Sequence, residues 1–167
     1  MVKINFLMTA VAALAPLVIG FIWYNPKVFG KAWMNASGMT EEKAKGANMA
    51  LVFSLTFVFS FLVAMTMNFI AIHQFGFQSM MMGDADFDKP GSPANDLLTS
   101  VLNSHQNSFR SFKHGALHGT LFGLLTLMPI FAINAMFERK GFKYIAINAG
   151  YWTVSCAIMG GIVCASI

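Results

Sequence analysis

Four histidines are the residues of this sequence best suited to chemistry, because imidazole is the commonest metal ligand among protein side chains. His114 and His118 are one helical turn apart, so on a helix they project from the same face. The hydropathy pattern places His73 and His105 near the same membrane surface. The sequence therefore predicts a metal site drawn from His73, His105, His114 and His118.

The ion or cofactor at such a site stays open at this stage. Zinc and copper both accept imidazole nitrogen, and a haem with two axial histidines needs ligands from two different helices. His73 with His118 meets that requirement, with His114 as a further cofactor ligand. Thioether sulfur favours copper, and methionines cluster towards the same side, namely Met65, Met67, Met80, Met81 and Met82. The plainer alternative is hydrogen bonding of the histidines to neighbouring backbone or lipid headgroups.

Two stripes of small residues indicate close helix packing. The first comprises Gly115, Gly119 and Gly123. The second comprises Ala157, Gly161 and Ala165, flanked by Cys156, Gly160 and Cys164. Small residues at this spacing let two membrane helices approach closely. We expect the two stripes to pack on each other, either within one chain or across a dimer. A sharper alternative is a flat ligand, a haem or a quinone, in the first groove with His118 at its edge.

Four long apolar segments must position these residues, and they cover about residues 4–23, 47–72, 116–137 and 144–167. Each is near the roughly 20 apolar residues that a membrane-spanning helix needs. The chain is 56% hydrophobic and only 11% charged, which lies outside the usual range of soluble domains. We predict an all-α polytopic membrane protein, with residues 1–167 forming a single domain of four transmembrane helices.

The connections between the segments predict further helices. The first loop mixes Phe29 and Trp33 with lysines, as an interfacial segment does. The central loop, about residues 73–113, is longer than a simple connection requires. In it, Ser92 followed by Pro93 is typical of a helix start. Apolar residues then recur near helical spacing, which predicts an amphipathic helix on the outer surface.

The distribution of positive charge predicts the orientation in the membrane. The first and third loops carry seven Lys and Arg residues, whereas the opposite side carries four. Because positively charged loops stay in the cytoplasm, we expect both termini and the central loop outside the cytoplasm. The net charge of +4 is scattered over short loops and forms no clustered basic surface, so nucleic acid is not an expected partner.

Other classes of function receive less support from the pattern. The spans have no Asp, Glu, Lys or Arg near their centres, which argues against a proton-coupled pump. Pro16 and Pro129 interrupt two spans at similar depth, and paired helix breaks can mark a transport site. No nucleophile elbow, phosphate loop, metalloprotease motif or dinucleotide fingerprint is present, so catalytic residues are not predicted.

Three segments carry a family resemblance. They are WYNPKVFGKAWM at residues 23–34, HGALHG at residues 114–119 and NAMFER at residues 134–139. With these segments the sequence resembles a family of small bacterial integral membrane proteins catalogued as a domain of unknown function. The resemblance implies a four-helix protein of the bacterial inner membrane, and it brings no activity, substrate or catalytic residue.

Three hypotheses on function follow from these observations. The first is a non-catalytic helical-bundle subunit, whose partners are the lipid bilayer and either further copies of the chain or a larger membrane complex. The second is a redox protein of the membrane that binds a metal or haem through the histidines at the outer surface. The third is a small transporter or channel.

Overall fold

The computed structural model describes residues 1–166, and over these residues the chain contains ten α-helices, one π-helical segment and no strand. The α-helices are α1 (Phe6–Ala13), α2 (Ala15–Trp23), α3 (Gly30–Ser37), α4 (Glu41–Lys45), α5 (Met49–Ala71), α6 (His73–Met81), α7 (Pro93–Ser104), α8 (Phe112–Phe122), α9 (Met128–Phe137) and α10 (Phe142–Ala165). The π-helical segment, Gly123–Leu127, joins α8 to α9. The all-α prediction is confirmed.

Four stretches of helix are long and apolar enough to cross a membrane, namely Phe6–Trp23, Met49–Ala71, Phe112–Phe137 and Phe142–Ala165. The predicted four-span architecture of a multi-pass membrane protein is therefore confirmed. The third span begins at Phe112, four residues earlier than the hydropathy pattern indicates. The predicted end of the last span, Ile167, lies outside the described residues.

Polar side chains set where three of the spans begin. Asn5 accepts a hydrogen bond from the Met8 amide at 3.0 Å, and Asn48 accepts one from the Leu51 amide at 3.2 Å. Ser111 caps α8 in the same way. These caps satisfy amide groups that the first helical turn leaves without partners. The cap at Ser111 explains the early start of the third span.

The two prolines coincide with irregular helix. A break between α1 and α2 precedes the buried Pro16 by one or two residues, and the Pro16 carbonyl accepts a hydrogen bond from the Tyr151 hydroxyl at 2.9 Å. In the third span, Pro129 is the second residue after the π-helical segment, which ends at Leu127. Proline lacks the amide hydrogen that a regular helix uses, so the hydrogen-bond ladder is rearranged around both residues.

The glycine stripe of the third span packs on α10 within the same chain. Positions in contact are Gly115 with Gly160, Gly119 with Cys156, and Gly123 with Thr153. A Cβ atom added to Gly115 or Gly119 would collide with a backbone carbonyl of α10. The two helices are therefore close enough that only glycine fits at these positions. Of the two arrangements left open by the sequence, the structure shows packing within one chain.

The residues that flank the second stripe make the closest contacts of α10 with the glycines of the third span. Cys156, Gly160 and Cys164 meet the glycines of the third span, and Gly161 packs against the ring of Phe112, the first residue of that span. Ala165 is exposed, and the backbone nitrogen of the partly buried Ala157 lies close to Gly119. Successive helical residues are rotated by about 100°, so Gly160 and Gly161 meet different parts of the third span.

A buried polar contact joins the first and second spans. The Asn68 amide donates hydrogen bonds to the Thr9 hydroxyl at 3.1 Å and to the Ala64 carbonyl at 3.0 Å. The Thr9 hydroxyl in turn donates to the Asn5 carbonyl at 2.8 Å. Interhelical hydrogen bonds of this kind contribute about 0.6 kcal/mol on average in membrane proteins. The contact holds the ends of these two spans together on the side of the central loop.

The central loop contains two helices, of which α7 matches the predicted amphipathic segment. Ser92 caps α7 by accepting a hydrogen bond from the Asn95 amide at 3.1 Å, and Leu98 is buried. The sequence analysis had no helix at α6, which packs against α7 and begins at His73. In the first loop, α3 and α4 occupy the region predicted to be interfacial. A location of α3 and α7 on the membrane surface stays a prediction.

Candidate metal centre

His73 gains its position from a sharp change of direction after the second span. Ile72 is extended, with φ −105° and ψ 97°, and separates α5 from α6. This single extended residue ends one helix and allows the next to start in a new direction. His73, as the first residue of α6, is turned towards the start of the third span.

His114 and His118 lie on successive turns of α8, as their spacing predicts. Ser111 caps that helix by accepting a hydrogen bond from the His114 amide at 3.2 Å. His114 is therefore the third residue of α8, and the helix start fixes the height of both imidazoles. Both side chains are partly buried, whereas His73 is exposed.

The three imidazoles converge through their Nε2 atoms. The Nε2 atom of His114 lies 2.8 Å from that of His73 and 3.1 Å from that of His118. One ligand atom from each ring can be chosen so that all three lie within 4.8 Å of one another. The ring centroids are 4.6 to 5.1 Å apart and the rings meet edge to face. We call His73, His114 and His118 the histidine cluster.

Hydrogen bonding alone does not account for this geometry. A ring nitrogen presents in its plane either one N–H group or one lone pair, so Nε2 of His114 can make one well-directed hydrogen bond. It has two close Nε2 neighbours. A metal ion resolves the conflict, because it draws a lone pair from each of the three rings.

The distances also fit a small metal ion. Zinc binds imidazole nitrogen at about 2.0–2.1 Å with tetrahedral geometry, which places neighbouring ligand nitrogens about 3.3–3.4 Å apart. The two close Nε2 separations, 2.8 and 3.1 Å, are within a few tenths of an ångström of that value. Small rotations of the rings would complete a three-histidine site.

Phe109 lies over the histidine cluster. Its ring centroid is 5.6 Å from that of His73 and 5.1 Å from that of His114. The Phe109 backbone has φ 61°, in the left-handed region, which costs roughly 1–2 kcal/mol for a residue other than glycine. The surrounding contacts must offset this cost. Phe109 belongs to the apolar residues that recur after Pro93 in the central loop, and nothing in that pattern marks it as a neighbour of the histidines.

Gln74 holds the loop that carries Phe109. Its buried side-chain amide donates hydrogen bonds to the carbonyls of His105 at 2.7 Å and Ser108 at 3.0 Å. The Cys164 thiol adds a contact to the Phe109 carbonyl at 3.3 Å. Sequence analysis missed Gln74. The signal that could have found it is a neutral polar residue directly after a predicted ligand.

His105, the fourth predicted ligand, is not part of the histidine cluster. Its side chain is exposed, and Nδ1 lies 3.3 Å from the Ser108 hydroxyl. A cavity of about 210 Å³ lies between α6, α7 and the following loop, and both His73 and His105 line it. The other lining side chains are mostly apolar, including Phe77, Val101 and Leu102. The structure therefore brings three of the four histidines together.

The residue after Phe109, Arg110, is basic, whereas the histidine cluster has no acidic member in the described part of the chain. Over the described residues, the cluster itself contains only imidazoles, without a carboxylate or thiol. Arg110 follows Phe109 and donates hydrogen bonds to the carbonyls of Cys164, at 2.8 Å, and Ser166. Burial lowers the pKa of Arg110 below its ordinary value. Its guanidinium satisfies carbonyls at the end of α10, where a positive charge is favoured.

Fold and site together define a multi-pass α-helical membrane protein with a three-histidine cluster at one end of its bundle. Over residues 7–164 the chain matches the family described as "Protein of unknown function (DUF1761)" and belongs to it. This confirms the resemblance to a domain of unknown function that the sequence segments indicate. No curated protein and no solved structure matches the chain.

Proposed function

We propose that this protein is an integral membrane protein that binds a transition-metal ion through His73, His114 and His118. One observation carries the proposal, which is that Nε2 of His114 lies within 3.1 Å of the Nε2 atoms of both other histidines. Three lone pairs aimed at one point are what a metal ion requires, and neutral imidazole is a common ligand of zinc and copper.

A single ion fits the cluster better than haem does. Two axial imidazoles of a haem lie on opposite sides of the porphyrin plane, with nitrogens about 4 Å apart for bonds of about 2 Å. Here the closest Nε2 atoms are 2.8 Å apart and the rings touch edge to face. A porphyrin would have to separate His73 from both residues of α8. Zinc or copper is therefore the proposed ion, and copper would give the site redox activity.

We further propose that the histidine cluster faces the outside of a bacterial inner membrane. His73 follows the second span and His114 opens the third, so both lie on the side of the central loop. That side has fewer Lys and Arg residues than the first and third loops, and positive loops stay in the cytoplasm. The site would then meet ions on the extracytoplasmic side.

Metal titration of the purified protein tests the proposed site. The full chain is purified in mild detergent, stripped with a chelator, and titrated with Zn²⁺ or Cu²⁺ while bound metal is measured by elemental analysis. We expect one ion per chain. The variant His118→Ala should lose at least about 100-fold in affinity, because a ligand matters more than the outer-shell groups whose loss costs about 10- to 100-fold.

His105→Ala is the matched control for this titration. It removes an exposed imidazole of the same loop region that lies outside the cluster, so it should bind one ion with unchanged affinity. Wild-type protein that takes up no stoichiometric metal would contradict the proposal. Equal metal binding by wild type and His118→Ala would also contradict it.

A subunit role is the second candidate, and the exposure of two spans favours it. In an apolar 18-residue stretch of the second span, and likewise of the third span, 11% of the residues are buried inside the protein. The corresponding share in the fourth span is 56%. Large apolar faces of these helices therefore contact lipid or neighbouring subunits. Measuring the mass of the protein in nanodiscs formed directly from its native membrane tests this candidate, because a single chain without a companion would contradict it.

The transporter hypothesis gains less support. Pro16 is buried and its carbonyl is hydrogen-bonded to Tyr151. This packing supplies a structural role for the proline without a transport site.

A further inference from the structure

We propose that the histidine cluster, once it holds zinc, is a hydrolytic site for small uncharged esters, and that His105 passes the released proton to solvent. The inference rests on the metal binding proposed above. It adds an activity, a substrate class and a role for the one histidine that the cluster leaves out.

The number of ligands is the first argument. Structural zinc sites have four protein ligands, whereas catalytic sites have three and a water molecule in the fourth position. In the part of the chain that the structure describes, the cluster provides three side chains, one of them exposed. A zinc ion here would therefore complete its coordination with water.

The charge of the ligand set is the second argument. Three neutral imidazoles leave the full +2 charge on the ion, as opposed to thiolates or carboxylates, which would reduce it. A zinc ion with such a ligand set brings the pKa of its bound water to about 7, and the resulting hydroxide is a strong nucleophile. The chemistry of the cluster is thus that of a nucleophile generator.

The cavity beside His73 indicates the substrate class. Its volume is about 210 Å³, and Phe77, Val101 and Leu102 give it a mainly apolar wall. Such a cavity is large enough for a small acyl group and offers no charged side chain to bind an ion. The proposed ligand His73 forms part of its wall, so a small ester held there would be next to one of the three residues that would bind zinc.

His105 lines the same cavity as His73 and is exposed to solvent. Imidazole exchanges protons near neutral pH more readily than other side chains. In the proposed reaction, zinc would activate a water molecule and His105 would accept one of its protons. The water oxygen would bond to the ester carbonyl carbon as the carbon–oxygen bond to the alcohol breaks, and the departing alkoxide would take up the remaining proton of that water. The products are a carboxylate and an alcohol, the proton leaves from His105 to buffer, and a new water binds the zinc.

Hydrolysis of 4-nitrophenyl acetate by the zinc-loaded full chain in detergent tests the proposal. We expect release of 4-nitrophenolate above a detergent-matched blank, in proportion to bound zinc, and its loss in His118→Ala. His105→Ala should keep its zinc but lose roughly 100-fold in kcat, the lower end of the usual contribution of proton transfer. Added imidazole should restore much of that rate by accepting the proton in place of His105.

Ser104→Ala is the matched control, because its hydroxyl donates to the Ser100 carbonyl within α7 and takes no part in the cavity lining. It should hydrolyse the ester at the wild-type rate. Stoichiometric zinc without hydrolysis above the blank would overturn this inference and leave the metal site intact. Full activity of His105→Ala, or a loss that imidazole does not restore, would overturn the proton relay.

Discussion

The Nε2 atoms of His73 and His114 lie 2.8 Å apart, although 41 positions separate the two residues in the chain. His73 opens α6 directly after the second span, and His114 is in the first turn of the third span. The central loop therefore starts and ends close to two imidazoles that are in contact with each other. An ion bound at this point would link α6 to α8 and close the loop.

Metal should stabilise the folded protein through this link. An ion that binds only the native state at 100 times its Kd adds about 2.7 kcal/mol to the free energy of unfolding. We therefore expect the Tm of the chelator-stripped protein in detergent to rise when Zn²⁺ is added. The rise should disappear in His73→Ala and persist in His105→Ala. An equal rise in both variants would mean that zinc acts elsewhere.

Loss of the Gln74 amide should loosen the loop over the cluster. Gln74→Leu keeps the approximate size of the side chain but removes its hydrogen bonds to the His105 and Ser108 carbonyls. We expect faster hydrogen exchange at residues 105–109, and a metal affinity lower by about 10-fold, as for other groups that support ligands indirectly.

Gln78→Leu is the control for this prediction. Gln78 lies one turn further along α6, and its side-chain oxygen accepts a hydrogen bond from the Val2 amide at 2.6 Å. It therefore anchors the start of the chain instead of the loop. Loosening of residues 105–109 in Gln78→Leu to the same extent would show that the effect comes from α6 as a whole.

The contact between the third span and α10 should tolerate no side chain at Gly119. In Gly119→Ala the new Cβ would collide with the Cys156 carbonyl, and such overpacking costs about 1–3 kcal/mol. Gly76→Ala in α6 is the matched control, because its Cβ would meet nothing within 4 Å. It should raise stability by about 0.5–1 kcal/mol through helix propensity. Unfolding in mixed detergent micelles measures both, and equal stability of Gly119→Ala and wild type would contradict the packing.

The orientation in the membrane can be tested by labelling single introduced cysteines. The native Cys156 and Cys164 are both buried, so they should react slowly. Asn103→Cys on the side of the central loop and Lys43→Cys in the first loop are both at exposed positions. A membrane-impermeant maleimide added to intact cells should label Asn103→Cys and leave Lys43→Cys unmodified until the cells are opened. The reverse pattern would overturn the proposed orientation.

Much of the fold follows from local properties of the sequence. Long apolar segments predicted the four spans, since a membrane helix must be about 20 apolar residues long. Ser92 followed by Pro93 predicted the start of α7. The early start of the third span was not predicted, because hydropathy does not register a cap such as Ser111. A cap acts through one hydrogen bond, which hydropathy does not measure. The polar residues Lys113 and His114 also lower the hydropathy of the first helical turn, so the pattern places the start of the span too late.

The candidate site also has one part that the sequence predicted and another that it did not. The spacing of His114 and His118 placed them on one face of a helix, because helical periodicity is a local property. Which other histidine joins them depends on the extended Ile72, on the return of the central loop and on the Gln74 hydrogen bonds, none of which has a local signature. Likewise, helix packing decides which small residues of α10 come closest to the glycine stripe, namely Cys156, Gly160 and Cys164. By itself the sequence determined the membrane spans and the fact that His114 and His118 share one face of α8. Tertiary structure decided that His73 is the third histidine of the cluster, that His105 lies outside it, and which residues of α10 meet the glycine stripe. These features depend on contacts between residues far apart in the chain.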